Sequence, residues 1–211
     1  MKERHDRVKW IYTSRDNREL EERYDQWANE YDADLEEEFG WIGPRYAAES
    51  FARYVPKETR ILDAGAGTGL VGYLLAKLGY NNLVAMDLSQ GMLEEARKKN
   101  VYREYHQMVM GEPLDFATDS FDAVVSVGVL TVGHAPASSL DELIRITKPG
   151  GYIFFSLRPD VYRDGGFKEK QDALESEGQW KLVEVSEEFQ PLPKGEPDMY
   201  HQVWVYQVKL L

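Results

Sequence analysis

Residues Ile61-Leu62-Asp63-Ala64-Gly65-Ala66-Gly67-Thr68-Gly69-Leu70 constrain this chain more than any other stretch. Two apolar residues lead into an acid, three glycines follow at alternate positions, and an apolar pattern at helical spacing comes after them. That order reads as strand, tight turn and helix. Glycine is needed in such a turn because the backbone must bend with little steric hindrance and come close to a ligand. The helix behind it points its free N–H groups into the same crevice. Gly-rich turns also join strands to helices where no ligand binds, so the spacing carries the argument. A dinucleotide fingerprint, GxGxxG, would want its third glycine at position 70, where this chain has Leu70. The acid at position 63 would repel a pyrophosphate but can accept hydrogen bonds from an ammonium group. A cationic ligand is therefore favoured over a phosphorylated one.

Asp87 closes the next strand, Asn82 to Met86, about 20 residues beyond the turn. In an open α/β sheet an acid there lies beside the ligand crevice, and its two acceptor oxygens suit the two hydroxyls of a ribose. The plainer alternative is that Asp87 caps the helix that starts near Ser89-Gln90 and runs through Met92, Leu93 and Ala96.

Composition bounds the rest. With 211 residues, 43% of them hydrophobic, the chain can bury one substantial core, and a single domain over 1–211 is the default. No run of about 18 apolar residues suggests a membrane span, and the N-terminus lacks the apolar centre of a signal peptide. The absence of cysteine excludes disulfides, thiolate metal sites and a cysteine nucleophile, and fits a cytoplasmic protein. A net charge of −12, from 37 acids against 25 Lys and Arg, argues against sequence-independent binding to nucleic acid. The same acidity could equally serve solubility alone.

In chain order, residues 1–17 show no sustained periodicity and are expected to form a mobile or loosely docked tail. Leu20, Tyr24, Trp27, Tyr31 and Leu35 form a helical stripe, either core packing or a lid over the crevice. Ten acids between residues 19 and 38, against Arg23 alone, predict a lid helix that is marginal without a bound cation. Gly43-Pro44 opens a second helix that Pro56 ends. Further strands are expected at Arg60–Ala64, Tyr105–Val109, Ala123–Val127 and Tyr152–Leu157, with helices over Gly69–Lys77, from Ser138-Ser139, and over 164–177. Two last strands, Trp180–Glu188 and Tyr200–Leu210, flank the loop Gln190–Pro197. After the fourth strand, Ser126 to His134 is mostly apolar. His134 is there a candidate general base, or else a loop histidine that orders the backbone.

Asp63–Gly69, Ala85-Met86-Asp87-Leu88-Ser89, Phe121-Asp122-Ala123-Val124-Val125 and Lys148-Pro149-Gly150-Gly151 together resemble, in order, the landmarks of the class I S-adenosylmethionine-dependent methyltransferases. The likeness runs from about residue 20 to 160. It implies an α/β fold: a doubly wound, Rossmann-like, seven-stranded, mostly parallel sheet with a reversed last strand and helices on both faces. Residues 1–56 would be a helical lid, 57–160 the cofactor-binding core, and 161–211 a helix and hairpin that supplies part of the substrate pocket. S-adenosylmethionine would be the cofactor and S-adenosylhomocysteine the product.

The implied cofactor residues are Trp27 and Tyr31 of the lid; Asp63, Gly65, Ala66, Gly67, Thr68 and Gly69 of the turn; Asp87, Leu88, Ser89 and Met92; Glu112 and Pro113 at the adenine; and Val127 and Gly128 beside the methyl group. The reaction would be direct displacement, which requires no metal and no covalent enzyme intermediate. A small-molecule acceptor is expected and nucleic acid is disfavoured. The alternatives are a protein or RNA methyltransferase that recruits its target through the acidic helix or the late loop, or a non-catalytic cofactor-binding partner of another protein.

Overall fold

The computed structural model describes residues 6–131 and 134–210. Expectations for residues 1–5, Val132, Gly133 and Leu211 lie outside the described residues. The seven strands are β1 (Ile61–Ala64), β2 (Leu83–Asp87), β3 (Tyr102–Gln107), β4 (Phe121–Ser126), β5 (Thr147–Leu157), β6 (Trp180–Val185) and β7 (Gln202–Val208). They form one sheet in the order β3-β2-β1-β4-β5-β7-β6. β1 pairs parallel with β2 on one side and β4 on the other, and β7 runs antiparallel to both β5 and β6. The chain thus winds outward from β1 in two directions, which opens a crevice at the carboxyl ends of β1, β2 and β4. Every residue of β1 and β2 is buried, as expected of central parallel strands covered on both faces.

The helices are α1 (Arg7–Tyr12), α2 (Asn17–Asp34), α3 (Gly43–Tyr54), α4 (Leu70–Lys77), α5 (Gln90–Lys99), α6 (Ser139–Ile146), α7 (Pro159–Asp164) and α8 (Phe167–Ser176). Alternating strand residues feed two cores. Leu62, Val124, Ile153 and Phe155 pack with Leu140 and Leu143 of α6 and with Phe167 and Leu174 of α8. Ile61, Ala123, Val125 and Phe154 pack with Phe51 of α3, Leu75 of α4 and Leu93 of α5. Helices therefore cover both faces.

Three expectations are revised, and one further turn is added. Residues 7–12 form a docked helix: Val8 and Ile11 pack with Leu20, Trp27, Leu35 and Phe39, and the buried Arg7 bonds Asp34 at 2.6 Å. The third strand starts at Tyr102, three residues early, because the Tyr102 hydroxyl is tied into the interior at Asp63, 2.5 Å away. The helix expected over 164–177 is two helices, broken at Gly165-Gly166, where Gly166 takes φ +78°. A π-turn, Leu35–Phe39, extends α2 and stops at Gly40, with φ +63°.

Candidate functional site

The turn after β1 is built from three left-handed residues, Gly65, Gly67 and Gly69. The amides of Gly65 and Ala66 donate to the Met86 carbonyl at 2.8 and 2.9 Å, which locks the turn onto the end of β2. A Cβ at Gly65 would lie 2.3 Å from Val129 Cγ2, whereas one at Gly67 would meet nothing within 4 Å. Gly65 is therefore required by packing, and Gly67 faces open space. Asp87 ties the turn from the other side: its Oδ2 accepts from Gly67 N at 2.8 Å and its Oδ1 from Ser89 N at 2.9 Å. Helix α5 is capped by Ser89, whose Oγ accepts from Met92 N at 3.0 Å, so the capping role weighed for Asp87 falls to its neighbour. Burial pushes the Asp87 carboxyl up to about 6.

Asp63 lies beneath the turn. Its Oδ2 accepts from the Tyr102 hydroxyl at 2.5 Å and from Gly72 N at 3.2 Å, while Oδ1 is buried without a hydrogen-bond partner. Burial raises this carboxyl to about 7. Sequence reading missed both partners. Gly72 is needed because a Cβ there would sit 2.2 Å from the Tyr102 ring. An aromatic residue one strand away and a glycine inside a helix give no joint signal in one sequence.

Above the turn lies a cavity of about 810 Å³, part of it open to solvent. Of the residues expected to hold a cofactor, Tyr31, Gly65, Ala66, Gly67, Thr68, Asp87, Leu88, Met92, Val127 and Gly128 line it, as does His134. The others lie elsewhere. Asp63 supports the turn from below, and Gly69 packs against Tyr102, 2.8 Å from where its Cβ would be. Ser89 is fully buried in its capping role. Trp27 turns away: its Nε1 donates to Asp34 at 2.8 Å, and its ring lines a second cavity. Glu112 and Pro113 are exposed on a surface turn, and that part of the wall is made by Met108, Val109 and Met110 instead.

Helix α2 roofs the cavity with Asn17, Leu20, Tyr24 and Tyr31, joined by Trp41. Its acids point to partners. Asp25 accepts from Ser89 Oγ at 2.5 Å and Gly91 N at 2.8 Å, and Glu21 accepts from Gln107 Nε2 at 2.8 Å. Asp32 accepts from Thr68 Oγ1 and from Lys99 Nζ, the latter at 2.5 Å. Glu19 pairs with Arg15 and Arg23, Glu22 with Arg18, and Glu30 with Arg7. The acids of this helix thus face cations, most of which lie outside residues 19–38.

His134 stands beside Tyr12 and Tyr24, with ring centroids 5.3 and 6.2 Å apart, and burial lowers its pKa to about 4. It is therefore a neutral imidazole at neutral pH. Burial likewise raises the Tyr24 and Tyr31 hydroxyls well above their ordinary range, so both remain uncharged. No Lys or Arg is among the described residues lining this cavity.

The residues fit S-adenosylmethionine. Gly67 leaves room for close approach, Asp87 offers a carboxylate, the buried Asp63 Oδ1 lacks a partner beneath the turn, and the methionine-rich wall suits a flat apolar ring.

An open α/β sheet with an acid-glycine turn at its switch point and a carboxylate closing the next strand defines a nucleoside-binding Rossmann-like protein. Within that class, a methyltransferase-domain family model matches residues 62–155. The human methyltransferase-like protein 27 is 34% identical over 166 residues, covering 75% of this chain and 66% of that relative. The malonyl-[acyl-carrier protein] O-methyltransferase of Legionella pneumophila is 32% identical over 174 residues, covering 79% of this chain and 58% of its own length. The chain thus spans between about half and two thirds of these relatives. Among solved structures, the [4+2]-cyclase SpnF superposes with a TM-score of 0.72 at 14% identity, over 92% of this chain and 97% of that one, a likeness of fold. The chain belongs to the S-adenosylmethionine-dependent methyltransferase family.

Proposed function

We propose that this protein binds S-adenosylmethionine in the cavity above the glycine turn and passes its methyl group to a small-molecule acceptor. The observation that carries this reading is the Asp87 carboxylate, held between Gly67 N and Ser89 N on the wall of a cavity whose described lining has no cation. Such a wall suits a ribose and a positively charged ligand, and would repel a pyrophosphate. When bound, the cofactor supplies an activated methyl group on a sulfonium.

What the chain's own residues do is bind, orient and exclude water. The turn Gly65–Thr68 gives close backbone approach. Asp87 takes the ribose hydroxyls, and the partnerless Asp63 Oδ1, beneath the turn, is available to the ligand's ammonium through water. Leu88, Met92 and Met108–Met110 enclose the adenine, and Tyr24, Tyr31 and Trp41 offer aromatic faces to positive charge. Direct displacement asks only that the acceptor be held in line and water kept out. His134 lies on the cavity wall as a neutral imidazole; burial, which lowers its pKa to about 4, weakens it as a general base and leaves it a hydrogen-bonding partner for the acceptor.

Among the described residues no helix is long and apolar enough to cross a membrane. A small acceptor is favoured over a protein or RNA because the space beside the cofactor cavity is a cleft walled largely by apolar side chains. Titration calorimetry with S-adenosylmethionine, S-adenosylhomocysteine and NAD tests the cofactor: the first two should bind and NAD should not. Labelled methyl transfer into fractionated cell extract tests the acceptor, and label found only in macromolecules would refute the small-molecule reading.

A further inference from the structure

A second cleft, of about 510 Å³ with part of that space open to solvent, lies next to the first. Tyr24, Tyr31, Trp41 and Gly128 line both spaces, so one set of side chains and one backbone position divide them. Gly128 follows β4, on the side of the crevice where the reacting end of the cofactor is expected. The remaining wall is apolar: Ile11 of α1, Leu35 of the π-turn, and Leu192 and Met199 of the loop before β7 are among its residues. No acid, Lys or Arg is among its described lining residues.

One buried polar atom on this wall has no partner. His201 is held by two backbone bonds to Phe189, each 2.9 Å, which fix its main chain at the cavity wall, and its Nε2 is buried with nothing to bond. Such a group costs free energy unless a ligand or water completes it. The imidazole is neutral at neutral pH, since burial, assisted by Arg158, lowers its pKa to about 4. The charges nearest to it, Arg158 and Asp160, are paired with each other at 2.6 Å, and so present little net field.

We propose that this second cavity holds the body of the methyl acceptor, that it selects an uncharged, largely apolar, ring-bearing molecule, and that His201 Nε2 anchors a hydrogen-bonding group on that molecule. His201 is here a specificity-determining residue, distinct from any group at the transferred methyl. The inference rests on the cofactor reading above, because the first cavity must hold the donor for the second to hold the acceptor.

The test uses the full chain saturated with S-adenosylhomocysteine and three probes with one ring system, 1-naphthol, naphthalene and 1-naphthoate, followed by saturation-transfer NMR. Naphthol should bind about fivefold more tightly than naphthalene, the worth of one neutral hydrogen bond. Naphthoate should bind on the order of tenfold or more weakly than naphthol, because its charge would be buried unpaired. His201→Phe should abolish the preference for naphthol while still binding naphthalene, and His201→Gln should restore it. Affinity for S-adenosylhomocysteine should stay within twofold in both variants. A purely structural role for His201 would lose both neutral probes together, which would overturn the assignment. Binding of naphthoate as tight as naphthol, or no saturable binding of either neutral probe, would do the same. Failure of the wild-type chain to bind S-adenosylhomocysteine would instead bring down the cofactor reading and this one with it.

Discussion

Replacing Asp87 with asparagine separates binding from folding, and the structure sets the size of each effect. The wild-type carboxylate accepts two backbone N–H groups, at 2.8 and 2.9 Å. Asparagine has one acceptor oxygen, so one buried donor loses its partner, at a cost of about 1–3 kcal/mol. Against this, burial raises the Asp87 pKa to about 6 from an ordinary 3.8. At about 1.4 kcal/mol per unit, the folded protein at neutral pH carries roughly 3 kcal/mol of cost for burying that charge, and asparagine removes it. The two effects nearly cancel, so Asp87→Asn should melt within a few degrees of wild type. Cofactor affinity has no such offset. Losing one hydrogen bond to a charged group, about 1.5–3 kcal/mol, should weaken S-adenosylhomocysteine binding roughly 10- to 150-fold. Calorimetry and thermal melts at pH 7.5 read both quantities. Near-wild-type affinity, within threefold, would show that the carboxylate serves only the glycine turn and would refute the ribose assignment.

Gly67→Ala should fold, at about 1–2 kcal/mol for a left-handed alanine, and lose cofactor, since the added Cβ meets open space. Gly72→Ala should instead fail to fold cleanly, because its Cβ would lie 2.2 Å from Tyr102; circular dichroism and calorimetry on the pair distinguish the two, and a stable, binding Gly72→Ala would contradict the packing. Arg7→Ala removes the cation facing the fully buried Asp34 and should cost about 3–5 kcal/mol, or about 6–20 °C of melting temperature. A shift below 2 °C would mean that α1 is not docked in solution. Asp63 and Asp87 are raised to about 7 and 6, so the empty protein binds protons there that a cationic ligand would displace. Affinity for S-adenosylmethionine should therefore rise between pH 5.5 and 7.5 with net proton release, measurable by calorimetry in buffers of different ionisation enthalpy; a flat profile would refute the coupling.

The sheet and the glycine turn were legible because their signals are local: apolar runs for β1 and β2, alternate glycines between β1 and α4, and an acid at the end of β2. What escaped depends on distant residues. Trp27 and Tyr31 are four residues apart on one helix and read as equivalent, yet the Trp27 indole bonds Asp34 and faces α1, while Tyr31 reaches the cavity. Glu112 matched a position in a motif, but the course of the turn after β3, which no periodicity records, leaves it exposed. Helix α1 has only six residues, too few to show a stripe, and its docking rests on Asp34, 27 positions downstream of Arg7.

The acidity of α2 looks different once its faces are separated. Asp25 and Asp32 lie on the side toward α5, where Asp25 meets Gly91 N in that helix's first turn and Asp32 meets Lys99 at its end. A carboxylate at the first turn and a lysine at the last are the placements that the α5 dipole favours. On the cavity side, the described α2 residues are Asn17, Leu20, Tyr24 and Tyr31, none of them charged. Acidity on this helix therefore docks it, while aromatic faces are what it offers a ligand. On the proposed reading, the charge that a cationic ligand would meet is that of Asp87 on the cavity wall and Asp63 beneath the turn, both on the sheet, and both are held by backbone amides. The net −12 of the chain acts only at long range, where salt screens it within about 8 Å. On the proposed reading, discrimination between cationic and phosphorylated ligands would belong to these two buried carboxylates and would persist at ionic strengths that erase the overall charge.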